Sequence, residues 1–137
     1  MKVEYLVPYL PFLTPGKTLF ISYMPDRIKT GVLMLPSLTG GIIDPYHPDY
    51  KAADTFQIVS RSVDLATARD TAERCSEALT IKEPVTITGA ELQQPTWKDI
   101  SVVTCRPIHE PIMFPRPLDG MWEGSVNFSI NWFYPDG

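Results

Sequence analysis

The sequence predicts an α+β fold: a mixed, mainly antiparallel β-sheet of about five to six strands, with one main amphipathic helix and a short N-terminal helix packed on one face. Three observations predict this class. The C-terminal segment alternates apolar and polar residues, one segment has helical periodicity, and several short apolar runs are bounded by turn residues. The length of 137 residues and the apolar content of 44% suit a single domain, 1–137, with long loops at 36–53 and 107–121.

The other elements are organised around the C-terminal segment 122–134, WEGSVNFSINWFY. Successive side chains of a strand point to opposite faces, so this pattern predicts one dry, aromatic face and one wet face. The strand therefore needs partner strands and a cover for its apolar face. The apolar side chains on alternate positions are Trp122, Val126, Phe128, Ile130, Trp132 and Tyr134.

The N-terminal third predicts a short helix or turn followed by two strands. Pro8 and Pro11 interrupt the apolar N-terminus, which therefore differs from a secretion signal. Residues 18–24 and 31–35 are both apolar runs, and a polar turn lies between them. We expect these two strands to form an antiparallel hairpin.

The central segment predicts a third strand and the main helix. In residues 55–63, Phe56 and Ile58 fall on one face of the strand. Asp64 then has the position and chemistry of a helix N-cap. We expect the helix to cover the dry face of the C-terminal strand. Its apolar and small residues at helical spacing are Leu65, Ala68, Ala72, Cys75 and Leu79.

The remaining segments predict two strands and two loops. Residues 85–88 form a short apolar run, and residues 100–106 form a longer one that can pair with 122–134 as a wide hairpin. The segments 36–53 and 107–121 have no period and are rich in proline. Loops of this length in a compact domain are usually functional.

Composition limits the classes of function. A net charge of -4 and a pI near 5.1 argue against a free-standing nucleic-acid binder. No apolar run approaches the length of a membrane span. Cys75 and Cys105 are far apart in sequence and are expected to be buried, reduced thiols, as is usual in cytosolic proteins.

The motifs of common catalytic and metal sites are incomplete. Residues 15–18 (PGKT) resemble the end of a phosphate-binding loop, but Pro11 stands where its first glycine belongs and a strand follows. His47 and His109 have no second ligand at a metal-like spacing. No serine lies in a G-x-S-x-G turn. The sequence therefore predicts no catalytic residue, no cofactor and no metal, and favours a protein that is not an enzyme.

The two expected loops contain residue types that are enriched at the centres of protein interfaces, namely aromatic residues, methionine and arginine. Two interpretations stay open at this point. These side chains either fold back to cap the ends of the sheet or contact another protein. The candidate interface residues are Tyr46, His47, Tyr50, Arg106, His109, Met113, Phe114 and Arg116.

Four stretches carry a resemblance to a known family: 31–36 (GVLMLP) with the Gly-Gly loop after it, 56–59 (FQIV) leading into the capped helix, 106–111 (RPIHEP), and 125–128 (SVNF). On these stretches the chain resembles the tail-terminator proteins of long-tailed bacteriophages, also described as tail-completion or minor capsid proteins. The resemblance extends from residue 18 to the end of the chain.

The resemblance implies a structural virion protein. Such proteins form a hexameric ring on the tail-tube protein, stop tube polymerisation and offer an attachment surface to the head–tail connector protein. DNA passes through the lumen without sequence-specific binding, and an acidic chain avoids gripping its phosphates. The implied location is the head–tail junction of the virion, after assembly in the host cytoplasm. The edge of the long terminal strand is a candidate for pairing with a neighbouring subunit.

Two alternatives remain at the level of the sequence. The first is another head–tail joining protein, such as a neck or head-completion subunit. The second, from a different class, is a small ligand-binding or hydrolytic domain with a polar site around Cys105, His109 or Glu110. Burial of Cys105 under the helix would argue against that site.

Overall fold

The computed structural model describes residues 1–36, 42–44 and 47–135, with the backbone alone for 42–44 and 47–53. Within these residues, eight strands form one mixed, mostly antiparallel sheet, and two helices cover one of its faces. The α+β class predicted from the sequence is confirmed. Neither helix of the described part combines the length and apolarity that a bilayer crossing demands.

The sheet has the strand order β1-β2-β4-β8-β6-β5, with β3 paired to β4 and β7 paired to β8. A 3-10 helix (Val3–Tyr9) precedes the sheet, and the main helix α1 (Leu65–Ala78) follows β4. The strands are β1 (Leu19–Ile21), β2 (Gly31–Pro36), β3 (Ile42–Asp44), β4 (His47–Ser62), β5 (Val85–Ile87), β6 (Ile100–Pro107), β7 (Ile112–Arg116) and β8 (Met121–Phe133).

The C-terminal strand β8 is central in the sheet. It pairs antiparallel with β4 on one side and with β6 and β7 on the other, so the predicted pairing of residues 100–106 with 122–134 is confirmed. Phe56 of β4 lies opposite Phe128, and their rings stack with centroids 4.9 Å apart. Because both edges of β8 are occupied, the expectation that its edge is available to a neighbouring subunit is wrong.

The main helix lies on the aromatic face of β8, as predicted. The Asp64 carboxylate accepts hydrogen bonds from the Thr67 backbone N–H at 3.2 Å and the Thr67 hydroxyl at 2.7 Å, which caps the first turn. Ala68, Ala72 and Cys75 are buried against the sheet. These small side chains allow the close approach that lets the Ser60 hydroxyl of β4 donate to the Ala68 carbonyl at 2.6 Å.

The predicted antiparallel hairpin of the first two strands is wrong, because β1 and β2 are parallel. Ser22 adopts a positive φ of 68° and its N–H bonds to the Met34 carbonyl, so the chain leaves β1 instead of turning back along it. The connecting residues 22–30 form a strap over the sheet face opposite the helices. There Arg61 of β4 donates to the carbonyls of Pro25 and Ile28.

Both segments expected to be loops contain strands, which corrects the loop bounds 36–53 and 107–121. Strand β3 and residues 47–53 of β4 pair with each other, and Lys51 lies opposite Trp132 of β8. Strand β7 pairs with residues 121–125 of β8. The cause is that β4 and β8 are longer than β2 and β6, so the part of each that extends past its shorter neighbour offers backbone partners to β3 and β7. A short edge strand also tolerates proline, as Pro115 does in β7.

The sheet is thus built from two long hairpins, β2 and β3 against β4, and β6 and β7 against β8. Since β4 and β8 are antiparallel, the two hairpins turn at opposite ends of the sheet. Within the second of these, we reserve the name second hairpin for residues 112–125, which are β7 and the start of β8. Its turn, residues 117–120, is the hairpin tip.

Candidate interaction surface

Two of the predicted interface residues lie in the first hairpin, which β2 and β3 form against β4. Tyr46 lies outside the described residues. His47 and Tyr50 belong to β4, and the backbone of His47 pairs with Asp44 of β3. Their backbones are therefore part of the sheet, and not of the loop in which the sequence pattern placed them.

Arg106 and His109 lie where β6 leads into β7. Arg106 is exposed on β6 opposite Ser129. The half-buried His109 ring contacts the Glu110 carbonyl through Nδ1 at 2.7 Å, and its Nε2 accepts the Asn127 backbone N–H at 3.3 Å. Both contacts are satisfied together when Nδ1 carries the proton. His109 thus holds the segment between β6 and β7 against β8 of the same chain.

Met113 and Phe114 point to opposite faces of β7. The Met113 sulfur lies 2.8 Å from where a Cβ on Gly124 would stand, so Met113 packs into the space that this glycine leaves. Phe114 is 39% exposed on the other face, which it shares with the exposed Ile112. Phe114, and not Met113, is the member of this pair available for contact with a partner.

Arg116 joins the second hairpin to the strap. Its guanidinium lies 3.1 Å from Asp26 of the strap, 3.2 Å from Asp119 of the tip and 3.9 Å from Glu123 of β8. Glu123 also pairs at 3.3 Å with Arg61, which is only 6% exposed. These ion pairs connect the second hairpin to the strap and to β4.

The second hairpin also carries large exposed apolar side chains. Leu118 at its tip has a relative exposure of 103%, so its side chain is fully in solvent. Sequence reasoning missed Ile108 and Leu118; a leucine inside the Pro-Leu-Asp-Gly turn is the signal that could have identified the second. We call three of the exposed apolar side chains the apolar ridge: Ile112 and Phe114 of β7, and Ile108 of the segment that leads into β7.

A concave feature, the aromatic pocket, lies beyond the C-terminal end of β8. Its volume is about 390 Å³. Sequence reasoning missed it because three distant segments meet there and no local pattern records that meeting. The pocket is lined by Met1, Lys2, Tyr5, Thr96, Trp97, Lys98 and Tyr134.

The two cysteines are buried in the core. Burial raises the pKa of both thiols from 9.0 to about 12. Because the thiolate is the nucleophilic form, Cys105 is a poor nucleophile here, and the hydrolytic site considered around it loses its central group. Among the described residues, no three His, Cys, Asp or Glu side chains are placed to hold a metal ion together.

No protein-family model matches the chain, and no curated protein matches it.

Proposed function

We propose that the chain is a structural virion protein that caps the phage tail tube as a ring, stops tube polymerisation and offers an attachment surface to the head connector. The single observation that carries this proposal is the apolar ridge on β7 and the segment that leads into it. Large apolar side chains left in solvent can serve as contact residues for another protein. The sequence resemblance to tail-terminator proteins supplies the identity of the partners.

The rigidity of the hairpin tip supports a docking role. The Arg116 carbonyl accepts the backbone N–H groups of Asp119 and Gly120, and the Asp119 carboxylate accepts the Met121 N–H at 3.1 Å. The ion pairs of Arg116 add to these bonds. A contact element that is already ordered loses less conformational entropy on binding, so a modest apolar surface suffices for specific docking.

The charge of the chain supports passage of DNA through such a ring. A net charge of -4 disfavours lasting contacts with phosphates, whose attraction to proteins depends on clustered lysine and arginine. In this proposal DNA crosses the lumen without being read. The ring belongs to the head–tail junction and holds the tube protein on one side and the connector on the other.

The proposal is tested by the length of polymerising tail tubes. Tube protein of the same virus is assembled alone and with increasing amounts of this chain, and tube lengths are measured by electron microscopy. We expect wild type to shorten the tubes and Phe114→Asp to lose this effect, because a carboxylate would stand on the ridge. Thr86→Asp, an exposed change on the distant edge strand β5, is the matched control and should behave as wild type.

Two results would contradict the proposal. Tubes of unchanged length at a large excess of protein would show that the chain does not cap them. Binding to the head-side complex without binding to bare tubes would instead identify a neck or head-completion subunit.

A further inference from the structure

We propose that neighbouring copies of this chain join end to end, the hairpin tip of one copy entering the aromatic pocket of the next. This inference rests on the proposed ring and deepens it, because it assigns the two surfaces of the contact between subunits. It follows from the chemistry of the tip, the chemistry of the pocket and their positions on the sheet.

The pocket combines aromatic walls with a basic rim. Tyr5 and Trp97 lie with ring centroids 5.4 Å apart, and the Tyr5 hydroxyl donates to the Lys98 carbonyl, which fixes this corner. The Lys2 ammonium stands 4.3 Å above the Trp97 ring, and the Lys98 ammonium stands 4.9 Å from the centroid of the Tyr134 ring. Such a site favours an apolar side chain with carboxylates beside it.

The hairpin tip presents that chemistry in convex form. Leu118 is fully exposed, and the carboxylates of Asp119 and Asp26 both contact the same nitrogen of Arg116, so that two acids lie beside one base. The Asp26 side chain is 88% exposed, so it is accessible to a second cation. An apolar knob with acidic neighbours is thus complementary in charge to an aromatic pocket with a lysine rim.

The two surfaces lie at opposite ends of one strand. The tip directly precedes Met121, the first residue of β8, and Tyr134 of the pocket directly follows Phe133, the last. A strand of 13 residues separates them by about 40 Å. One copy can therefore contact two neighbours at once. A contact between two different surfaces is heterologous, and it produces a ring when the rotation between copies closes.

Disulfide trapping between two single-cysteine additions tests the contact. Leu118→Cys places a thiol on the tip, and Thr96→Cys places one at the exposed lining of the pocket. The native thiols are buried, so mild oxidation addresses the introduced ones. The two variants are oxidised separately and as a mixture, with and without tail tubes, and products are separated under denaturing, non-reducing conditions.

We expect a covalent dimer in the mixture and little in either variant alone, whereas the double variant should give a ladder of oligomers. A dimer from Leu118→Cys alone would show a symmetric tip-to-tip contact and overturn the inference. So would the absence of cross-links in a sample whose tubes are capped. Capped tubes without cross-links would leave the proposed function intact and contradict only the contact. Cross-links without any effect on tube length would support the contact and contradict the proposed function.

Two further substitutions test the chemistry of the contact. Leu118→Ala should weaken self-association about tenfold, since it removes the apolar knob at the centre of the contact. Lys98→Glu should also weaken it, while the backbone carbonyl that holds Tyr5 is retained. Lys82→Glu, on an exposed side chain that belongs to neither surface, is the control and should leave association unchanged. If Leu118→Ala and Lys98→Glu both associate as strongly as wild type, the inference is contradicted.

Discussion

Gly124 shows how a single residue makes room for the side chains of two neighbouring strands, Met113 of β7 and Ser60 of β4. A Cβ at this position would lie 2.8 Å from the Met113 sulfur and 2.9 Å from the Ser60 hydroxyl oxygen. Met113 can move, but Ser60 is held by its bond to the Ala68 carbonyl. The absence of a side chain at Gly124 thus lets Met113 of β7 and Ser60, which bonds to α1, pack closely against β8.

Gly124→Ala should therefore destabilise the protein by about 1–3 kcal/mol, the usual cost of overpacking a well-filled site. Chemical denaturation measures the change in the free energy of unfolding. Adding Ser60→Ala to Gly124→Ala should recover part of the loss, since it removes the oxygen that the new methyl group meets. Wild-type stability in Gly124→Ala would contradict this account of the packing.

The buried thiols should be almost unreactive in the folded protein. With a thiol pKa of about 12, only about one molecule in ten thousand carries a thiolate at pH 8. A thiol-specific reagent should label Cys75 and Cys105 slowly in buffer and rapidly in denaturant. The raised pKa also means that the folded state holds protons longer than the unfolded chain. Stability should therefore fall as the pH rises from 9 towards 12. Rapid labelling in buffer would contradict their burial.

At the scale of the element, the cap of α1 has a pH dependence of defined sign. The hydrogen bonds from the Thr67 side chain and backbone hold the pKa of Asp64 below its ordinary value. The stabilisation is present above the unfolded pKa and is lost as the pH falls through the folded pKa.

Asp64→Ala should thus lower the unfolding midpoint at neutral pH, by a difference that shrinks in acid. Asp64→Asn, which can cap without titrating, should differ from wild type by an amount nearly independent of pH at and above neutrality. A midpoint difference for Asp64→Ala that stays constant into acid would contradict the role of the carboxylate.

The strap depends on a buried arginine. Arg61 pairs with Glu123 and donates to two strap carbonyls. Arg61→Met should cost about 3 kcal/mol, the lower end for breaking a buried pair, because Arg116 still lies 3.9 Å from the same carboxylate. Trypsin should then cleave sooner after the exposed Arg27 and Lys29 of the strap. Arg106→Met is the exposed control, and an unchanged cleavage rate in Arg61→Met would contradict the anchoring.

The elements with a strong local pattern could be predicted from the sequence, and those determined by distant partners could not. The period of α1 and the alternation of β8 each bury a defined face, so their type and mutual packing follow from the residues alone. The parallel pairing of β1 depends on the backbone angle of Ser22, which no apolar pattern encodes. Strands β3 and β7 exist because longer neighbours offer them backbone partners.

At the scale of the whole molecule, the candidate surface could be predicted only in part. The residue types of 107–121 directed attention to the second hairpin and to Phe114, which is exposed there. The same reasoning selected Met113 and His109, whose side chains are engaged inside the chain. Which of two adjacent residues faces solvent depends on the register of β7 against β8, and composition does not specify that register.

The proposed assembly is tested most directly by the mass added to a capped tube end. Mass photometry of short tail tubes before and after incubation with this chain, with end views from electron microscopy, gives the number of copies bound. The proposed ring predicts an increment of about six copies in a closed ring at the capped end. A chain that stays monomeric at every concentration and adds no mass to the tubes would contradict it.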